Sequence, residues 1–388
     1  MIEIKKKEAC NGCHACSNIC PLQCIEMQED SEGFKYPKVN YDKCIKCNMC
    51  VEVCSLIEPQ KIEEKKLKAY ACFNKNEKVR MESSSGGIFT LLAKEILKAN
   101  GIVFGAAWTE KFSLKHIYIT KEENLSKFRG SKYLQSEIGE TFNEVLELLK
   151  EGKKVLFSGT PCQIGGLKSF LKNKNANIEN LLSIDFICHG VPSPKVWKKY
   201  KEDLFSKEKL EEASFRDKTE SWKSYDINFK SKNIKLKQKA SKNKYMRVFL
   251  ADICLRPSCS DCKFKGENRE SDITMADFWG IQNIKPEMDD DKGTSLIFTN
   301  TDLGNKYYSK ILDNIISCEV NKEDAVKYNP SYFKSIKEHS KRKLYMKNID
   351  EMTFDELHKK YVELSMFMKI KRKSRIYVGA ILRKVGLR

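Results

Sequence analysis

The sequence has no apolar run long enough to cross a membrane, and no apolar segment behind its first lysines that would mark a secretion signal. We therefore expect a cytosolic protein, in which the 16 cysteines would not form a disulfide framework. Internal repeats are absent apart from one pair of cysteine runs near the start. At 388 residues the chain exceeds what one hydrophobic core usually supports, so two or three domains are expected.

Acidic residues are in a clear minority. The chain holds 71 Lys and Arg against 53 Asp and Glu, a net charge of +18, whereas residues 1–60 alone hold seven lysines and nine acidic residues. The positive charge therefore belongs to the rest of the chain. Such a body attracts an anion, which leaves four candidates: a phosphate-bearing cofactor, an acidic electron carrier, an anionic membrane or a nucleic acid.

Two cysteine runs of the form C-x2-C-x2-C-x3-C occupy the first 54 residues. This is the spacing of bacterial ferredoxins, in which the fourth cysteine of each run binds the other cluster. A zinc site needs CxxC-type pairs instead. We predict one 4Fe-4S cluster held by Cys10, Cys13, Cys16 and Cys54. The second would be held by Cys44, Cys47, Cys50 and Cys20. Cys24 is expected to be a small buried hydrophobic residue.

Beyond this predicted ferredoxin domain, residues 1–58, a charged segment at 59–70 lacks a hydrophobic period and is expected to be a linker. From 71 to 340, strand-like runs alternate with helical ones, which predicts an α/β body with a mixed sheet. Within it, alternating apolar residues in 211–237 predict a two-stranded ribbon. Residues 341–388 are expected to form a helical basic tail. The fold class is thus a small ferredoxin-like domain of α+β type followed by a larger α/β body.

Four cysteines of the body are candidates for a third metal centre. Two of them end strands, where an α/β fold places its site, and two form a short C-x2-C pair. We predict a third 4Fe-4S cluster held by Cys162, Cys188, Cys259 and Cys262. Cys254 is the alternate fourth ligand, and a zinc ion held by Cys254, Cys259 and Cys262 is the alternative. Cys72 and Cys318 are expected to be core residues.

A serine- and glycine-rich loop leads into an apolar-periodic helix. Ser84, Ser85, Gly86 and Gly87 stand where the free N–H groups of a helix N-terminus suit a phosphate, although a plain serine-capped helix has the same pattern. Arg129 and Lys132 add two cations in another loop, either closing over a dinucleotide or facing solvent. Asp277 ends a strand beside Trp279 and is either a polar contact to a ring system or an ordinary carboxylate.

Taken in order, six motifs resemble one family, that of the coenzyme F(420)-reducing hydrogenase/dehydrogenase beta subunits, in its form with an N-terminal two-cluster ferredoxin domain. The motifs are SSSGGIFTLLA, RGSKYLQS, FSGTPCQIGGLK, DFICHGVPSP, SFRDK and CLRPSCSDCKFKGENRESDITMADFWG. The resemblance implies FAD and a further 4Fe-4S cluster in the body. It implies that Ser84, Ser85, Gly86 and Gly87 belong to an FAD phosphate loop, that Arg129 and Lys132 contact the cofactor, and that the four body cysteines bind the cluster.

We therefore expect an FAD-dependent iron-sulfur oxidoreductase that moves electrons to or from a hydride carrier or a conjugated small-molecule acceptor, since flavin joins one-electron and two-electron steps. Similar chains also accompany polysaccharide biosynthesis. The alternative is an electron-transfer subunit without its own substrate, serving a partner enzyme; an electron-carrier protein is the other expected partner. Nucleic acid is disfavoured, because the acid-free stretch 227–251 has too few interleaved aromatic residues.

The last twenty residues, 369–388, hold eight basic residues, no acidic residue and an approximate apolar stripe. A short basic amphipathic helix suits an anionic membrane surface, which would place the protein peripherally at the inner face of the membrane. The alternative is a tail helix whose stripe packs on the body.

Overall fold

The computed structural model describes residues 1–57, 67–206 and 208–363. Helices and strands are numbered in chain order. The strands are β1 (Ile25–Glu29), β2 (Lys35–Val39), β3 (Lys68–Asn74), β4 (Ile102–Trp108), β5 (Leu114–Ile119), β6 (Val155–Ser158), β7 (Leu181–Phe186), β8 (Leu210–Asp217), β9 (Asp226–Ser231), β10 (Lys235–Lys239), β11 (Ile273–Asp277), β12 (Ser295–Thr299) and β13 (Ile315–Val320). The α-helices are α1 (Ala15–Ile19), α2 (Met49–Glu52), α3 (Glu77–Met81), α4 (Ile88–Lys98), α5 (Thr141–Lys150), α6 (Pro161–Asn173), α7 (Pro194–Phe205), α8 (Lys244–Leu250), α9 (Asp302–Ser309), α10 (Lys322–Val326), α11 (Arg342–Lys347) and α12 (Phe354–Tyr361).

An eight-stranded mixed sheet forms the centre of the body, in the order β13-β3-β12-β11-β7-β6-β4-β5. The inner strands β11, β7, β6 and β4 are parallel, and the strands outside them pair antiparallel. The apolar residues that open β6 are buried, as is usual for a central parallel strand covered on both faces. The predicted α/β body with a mixed sheet is confirmed.

The ferredoxin head, residues 1–57, packs on the layer of α5 and α6 that covers one face of this sheet. Along β6, Leu156 faces the layer of α4 and α9, whereas Phe157 faces the layer of α5 and α6. Ile19 and Val53 of the head belong to the same buried cluster as Ile164 of α6. Head and body therefore share one hydrophobic core, although they are separate units in the sequence.

Two expected boundaries differ from the structure. Strand β3 begins at Lys68, inside the range 59–70 expected to be a linker, because its apolar residues pair with β12 and β13. Helices α11 and α12 bury Tyr345 and Leu357 in the same core as α7 and α8, so residues 341–363 pack on the body. The basic segment 369–388 lies outside the described residues. None of the described helices combines the length and apolar character that crossing a bilayer requires.

The ribbon predicted at 211–237 has three strands, not two. The expected hairpin is present as β9 and β10, and β8 adds a third antiparallel strand. The register between β8 and β9 shifts between Leu210 and Glu212, and again between Ser214 and Asp217. Such bulges break the alternation of apolar and polar residues, which is why the sequence pattern did not reveal β8.

Candidate iron-sulfur and cofactor site

The eight cysteines of the two ferredoxin runs line two concave spaces in the head. One space is bordered by Cys10, Cys13, Cys16 and Cys54. The other is bordered by Cys20, Cys44, Cys47 and Cys50. Each space joins three closely spaced thiols of one run to the fourth thiol of the other, which is the division that the ferredoxin spacing predicts. Cys24 is buried beside the second space, with its Sγ 3.4 Å from that of Cys20.

The two cysteine loops repeat one backbone conformation. Gly12 and Lys46 occupy equivalent positions with φ of 70° and 58°, and His14 and Asn48, at the start of α1 and α2, have φ of 65° and 62°. The left-handed conformation costs an ordinary residue roughly 1–2 kcal/mol. Because the second loop adopts it even at a lysine, the spacing of the thiols, and not local preference, sets the shape of both loops.

Buried thiols require a cation to become thiolates. Burial raises the pKa of Cys13 and Cys16 well above the ordinary thiol value, and it raises the pKa of Cys188 to about 12. Without a metal these thiols therefore keep their protons at neutral pH. These cysteines would hold a cluster as thiolates, because the positive charge of iron ions would offset the cost of burying deprotonated sulfur. This donor set fits iron-sulfur clusters.

Four cysteines of the body lie near one another beside the ends of two parallel strands. Cys162 is the second residue of α6, which follows β6, and Cys188 follows β7. Cys259 belongs to a 3₁₀ turn that begins at Pro257, and Cys262 comes directly after that turn. The pKa of Cys162, Cys188 and Cys259 is raised by burial and further by repulsion from the other thiols of the group. The fold thus brings together the four cysteines predicted to hold a third cluster.

Cys254, the alternate ligand, lies apart from this group. Its side chain is fully buried, its charged neighbours are Arg342 and Asp252, and Tyr245 and Tyr345 pack in the same core. This position disfavours the zinc alternative, which needed Cys254 as a ligand. Across the described ranges, no three Cys, His, Asp or Glu side chains form a ready-made site for a single metal ion.

The head touches the body where the third cysteine group begins. A methyl group on Gly166 of α6 would lie 2.7 Å from Cβ and 2.8 Å from Sγ of Cys13. Cys162 stands one helical turn before Gly166, and its charge contributes to the raised pKa of Cys13 after burial and the head's own thiols. One cysteine of the head is therefore in close reach of one cysteine of the body.

The serine- and glycine-rich loop packs against β12 and does not cap its helix with a serine. The Oγ of Ser84 accepts from the backbone and side chain of Ser131, and the Oγ of Ser85 donates to the carbonyl of Thr294. The residue that starts α4 is Gly87, with φ of 78° and no side-chain cap. The serine-capped alternative is therefore wrong, and the first turn of α4 has no serine side chain on its N–H groups.

Arg129 and Lys132 lie beside this loop with different partners. Arg129 pairs with Glu82 at 2.5 Å and donates to Thr90 in the first turn of α4. Within residues 1–57, 67–206 and 208–363, Lys132 donates only to the carbonyls of Arg129 and Gly130, and burial lowers its pKa to about 8. In that part of the chain no carboxylate accepts a hydrogen bond from Lys132.

Asp277 is bound by protein side chains. Its two oxygens accept from both terminal nitrogens of Arg216 at 3.0 Å, and one also accepts from the indole of Trp222 at 3.1 Å. Trp222 in turn stacks on Trp279, with ring centroids 4.9 Å apart. Asp277 therefore orients Arg216 and an aromatic pair; the expected direct contact with a ring system stays a prediction.

Two cations missed by the sequence analysis reach the same loop. Arg216 donates to the carbonyl of Ser84 at 3.2 Å, and its buried Nε has no hydrogen-bond partner. Lys218, 2 % exposed, donates to the carbonyls of Ser85 and Lys292, and burial lowers its pKa to about 7. The signal that could have revealed both residues is the SFRDK motif, which contains them.

Comparison with known proteins assigns each part of the chain to a family model. Residues 9–56 match the model described as 4Fe-4S dicluster domain. Residues 69–143 match the model for the N-terminal part of the coenzyme F420 hydrogenase/dehydrogenase beta subunit, and residues 152–324 match the model for its C-terminal part.

Individual relatives are more distant. The chain is 23 % identical over 195 residues to a subunit of the F(420)H(2) dehydrogenase of Methanosarcina mazei, which covers 48 % of this chain and 55 % of that protein. It is 29 % identical over 170 residues to coenzyme F420-dependent sulfite reductase of Methanocaldococcus jannaschii, covering 43 % of this chain and 26 % of the relative. The match thus spans about half the length of the dehydrogenase subunit and about a quarter of the length of the sulfite reductase.

Among solved structures, a chain of the xenon-derivatised F420-reducing [NiFe] hydrogenase complex from Methanosarcina barkeri matches with a TM-score of 0.47 and 17 % identity, over 77 % of this chain and 94 % of that one. The family models cover the head and both parts of the body in order. The chain therefore belongs to the family of coenzyme F420 hydrogenase/dehydrogenase beta subunits, in a form with an N-terminal 4Fe-4S dicluster domain.

Proposed function

We propose that this chain is an FAD-dependent oxidoreductase with three 4Fe-4S clusters, which exchanges electrons between a carrier protein and a small hydride carrier or conjugated acceptor. The observation that carries the proposal is the contact between Cys13 of the head and α6, the helix whose first turn contains Cys162. A dicluster head joined in this way to further cysteines supports a relay that continues into the body.

The order that we propose for the two thiol groups in electron transfer is based on which of their cysteines is exposed to solvent. Cys47, of the second thiol group, is exposed, whereas Cys13, of the first group, lies against α6. Around Cys47, the apolar side chains of Leu22 and Ile45 are 46 % and 65 % exposed. Exposed apolar residues beside a redox centre suit a protein partner. We propose that the carrier protein docks at the second group and that electrons pass through the first group to the body.

The third cluster has an iron count as its test. Protein purified without oxygen should hold about 12 iron atoms per chain, following from three cubes. Cys162→Ser and Cys259→Ser should each reduce this to about eight. Cys254→Ser is the matched control, because Cys254 is buried outside the group. A wild-type count near eight iron atoms per chain, or equal losses of iron in all three variants, would contradict the proposed third cluster.

The residues around the serine- and glycine-rich loop fit the phosphates of FAD. Lys132 and Lys218 are cations that hydrogen-bond only to carbonyl oxygens, and Arg216 has one buried N–H without a partner. Phosphate oxygens would supply the missing acceptors and negative charge, and the uncapped first turn of α4 would add its dipole. When bound, FAD links one-electron transfer to two-electron chemistry.

Flavin content tests this part. Lys218→Met should weaken FAD binding at least about tenfold, because a charge-assisted hydrogen bond contributes roughly 1.5–3 kcal/mol. Lys223→Met is the control, since that lysine pairs with Asp289 nearby. The readout is flavin retained per chain at equal iron content. Wild-type protein without any flavin, after purification with FAD present, would refute the enzyme proposal.

The small hydride carrier proposed first is a deazaflavin of the F420 type, which the names of two relatives mention. Reduced deazaflavin should bleach an artificial one-electron acceptor in the presence of the isolated chain. The second candidate is an electron-transfer subunit that serves a partner enzyme, and the dehydrogenase relative, itself named as a subunit, supports it. An isolated chain that holds flavin and iron but turns over no hydride donor would select this second candidate.

The basic segment 369–388 lies outside the described residues, and its docking to an anionic membrane stays a prediction. The full chain should sediment with anionic vesicles at low salt and be released at high salt. A chain ending at Met368 should stay in the supernatant with its flavin and iron. Loss of cofactor on truncation would instead mean that the segment packs on the body.

A further inference from the structure

We propose that Arg256 is a positioning residue that joins the head cluster at Cys10 to the ligand loop of Cys259 and raises the reduction potential of that head cluster. The inference rests on the proposed cluster assignment. Its subject is a single side chain that reaches from one candidate centre to the other.

The backbone of Arg256 belongs to the body. Its N–H donates to the carbonyl of Val191 at 2.9 Å, and its carbonyl accepts from the N–H of Cys259, also at 2.9 Å. Pro257 follows and starts the 3₁₀ turn that carries Cys259. Any movement of the Arg256 backbone therefore moves a candidate ligand of the third cluster.

The side chain of Arg256 reaches from the body to the head. Its Nε donates to the carbonyl of Cys10 at 2.8 Å, and one terminal nitrogen donates to the carbonyl of Lys35 at 2.9 Å. The other terminal nitrogen donates to Oε1 of Gln135, a body residue, at 3.0 Å. One terminal nitrogen also lies 3.7 Å from the Sγ of Cys10. The guanidinium is thus fixed against the backbone and the sulfur of the first cysteine of the head.

No carboxylate of the described residues is hydrogen-bonded to this guanidinium. Arg256 is 1 % exposed, and its oxygen acceptors are all neutral carbonyl or amide groups. The rings of Tyr36 and Phe34 lie 4.5 and 5.3 Å from it. A buried charge without a partner of opposite sign is costly. The group that can balance it is a cluster bound by thiolates, of which Cys10 is the nearest.

The loop of the head leaves room for this cation at Gly12. Gly12 has φ of 70°, and a Cβ there would lie 2.8 Å from Nη1 of Arg256. The equivalent residue of the second loop is Lys46, so a side chain is tolerated at this position where no arginine packs. Only the first loop is shaped to receive the guanidinium.

One-electron reduction adds a negative charge to the cluster without making or breaking a bond. A fixed positive charge beside the cluster stabilises the reduced form, because opposite charges attract strongly where water is excluded. Removing the charge should lower the equilibrium constant for reduction about tenfold, which is 59 mV for a one-electron couple. The other head cluster, which lacks such a residue in its loop, should keep its potential.

The experiment is a redox titration of the full-length, iron-loaded protein followed by electron paramagnetic resonance. Arg256→Met should lower the midpoint potential of one head cluster, by an amount equal to about a tenfold fall in the equilibrium constant for its reduction. Arg256→Lys should lower this potential less, because the charge is kept. Arg342→Met is the matched control. Arg342 is also buried at the head, donates to the carbonyl of Leu255 and pairs with Glu32 at 2.6 Å, but none of these contacts is with a head cysteine.

Arg342→Met should lower stability without moving either head midpoint. The proposal would be overturned if Arg256→Met changed the equilibrium constant for reduction of the head cluster by less than twofold. An equal change in Arg342→Met would also overturn it. Should Arg256→Met fail to load iron, Gly12→Ala provides the same test, since the added methyl pushes the guanidinium away from Cys10. The head midpoints are measured directly, so a missing third cluster, seen as about eight iron atoms, refutes the proposed function separately.

Discussion

Gly166→Ala tests the contact between head and body. The new methyl would lie 2.7 Å from the Cβ and 2.8 Å from the Sγ of Cys13, and ordinary contact begins near 3.4 Å, so α6 and the Cys13 backbone must separate by roughly 0.7 Å. A free thiol could rotate to relieve the contact with its sulfur, although not the contact with Cβ. A sulfur bound to iron would be held in place, so both contacts would have to be relieved by moving the head from α6.

The expected loss of stability combines two opposing effects. Overpacking costs about 1–3 kcal/mol, while alanine in a helix interior gains about 0.5–1 kcal/mol over glycine, so the unfolding free energy should fall by roughly 0.5–2 kcal/mol. The loss should be larger with iron than without it. The rate of the proposed electron transfer from head to body should fall more than the stability of the fold, because the displacement occurs where head and body cysteines approach each other.

The assay compares two neighbouring variants under exclusion of oxygen. Gly165→Ala is the control, because its methyl would meet the ring of Phe264 and not Cys13. Both variants should lose stability, but only Gly166→Ala should slow reduction of the body after electrons are supplied to the head. If the two variants slow this step equally, or neither does, the contact is not part of the relay and the reasoning is wrong.

Three further predictions concern other parts of the molecule. Lys46→Gly should raise the free energy of unfolding by about 0.5–1 kcal/mol, because glycine adopts the left-handed conformation without strain. Asn48→Gly should raise it less, and chemical denaturation measures both changes. Asp277→Asn should destabilise the protein by about 3 kcal/mol because it leaves the charge of Arg216 buried without its carboxylate; near-normal thermal unfolding would contradict this. Lys218 should make stability increase as pH rises from about 7 to above 10, because burial lowers its folded pKa to about 7 while the unfolded chain keeps its proton to higher pH. The difference between wild type and Lys218→Met should show this slope without flavin and lose it with flavin bound.

The sequence predicted those features that depend on spacing along the chain. The division of the eight head cysteines between two spaces follows from the ferredoxin rhythm, and the four body cysteines follow from the ends of strands and one C-x2-C pair. The central strands were predictable because β4 and β6 are continuous apolar runs. Each of these signals is local.

The sequence could not predict features made by contacts between distant residues. Cys254 packs in one core with Tyr345, about 90 residues away in the sequence. No local pattern reveals that Cys254 is buried in this core and lies apart from the four candidate ligand cysteines. The same holds for Arg256, whose side chain ends about 246 positions away at Cys10. Arg216 lies near the end of bulged strand β8 and Lys218 just after it, where the alternation of apolar and polar residues is broken, so only the SFRDK motif, and no periodic pattern, could have pointed to them.

The place of β3 in the sheet has a consequence for how the protein is made. This strand is the first of the eight to leave the ribosome, yet its neighbours are β12 and β13, which come last. At about 5–20 residues per second, β3 waits roughly 10–50 s for β13. The head, whose thiols all lie before residue 55, needs no later segment to complete its two cysteine groups. Iron can therefore enter the head during synthesis, before the central sheet of the body has closed.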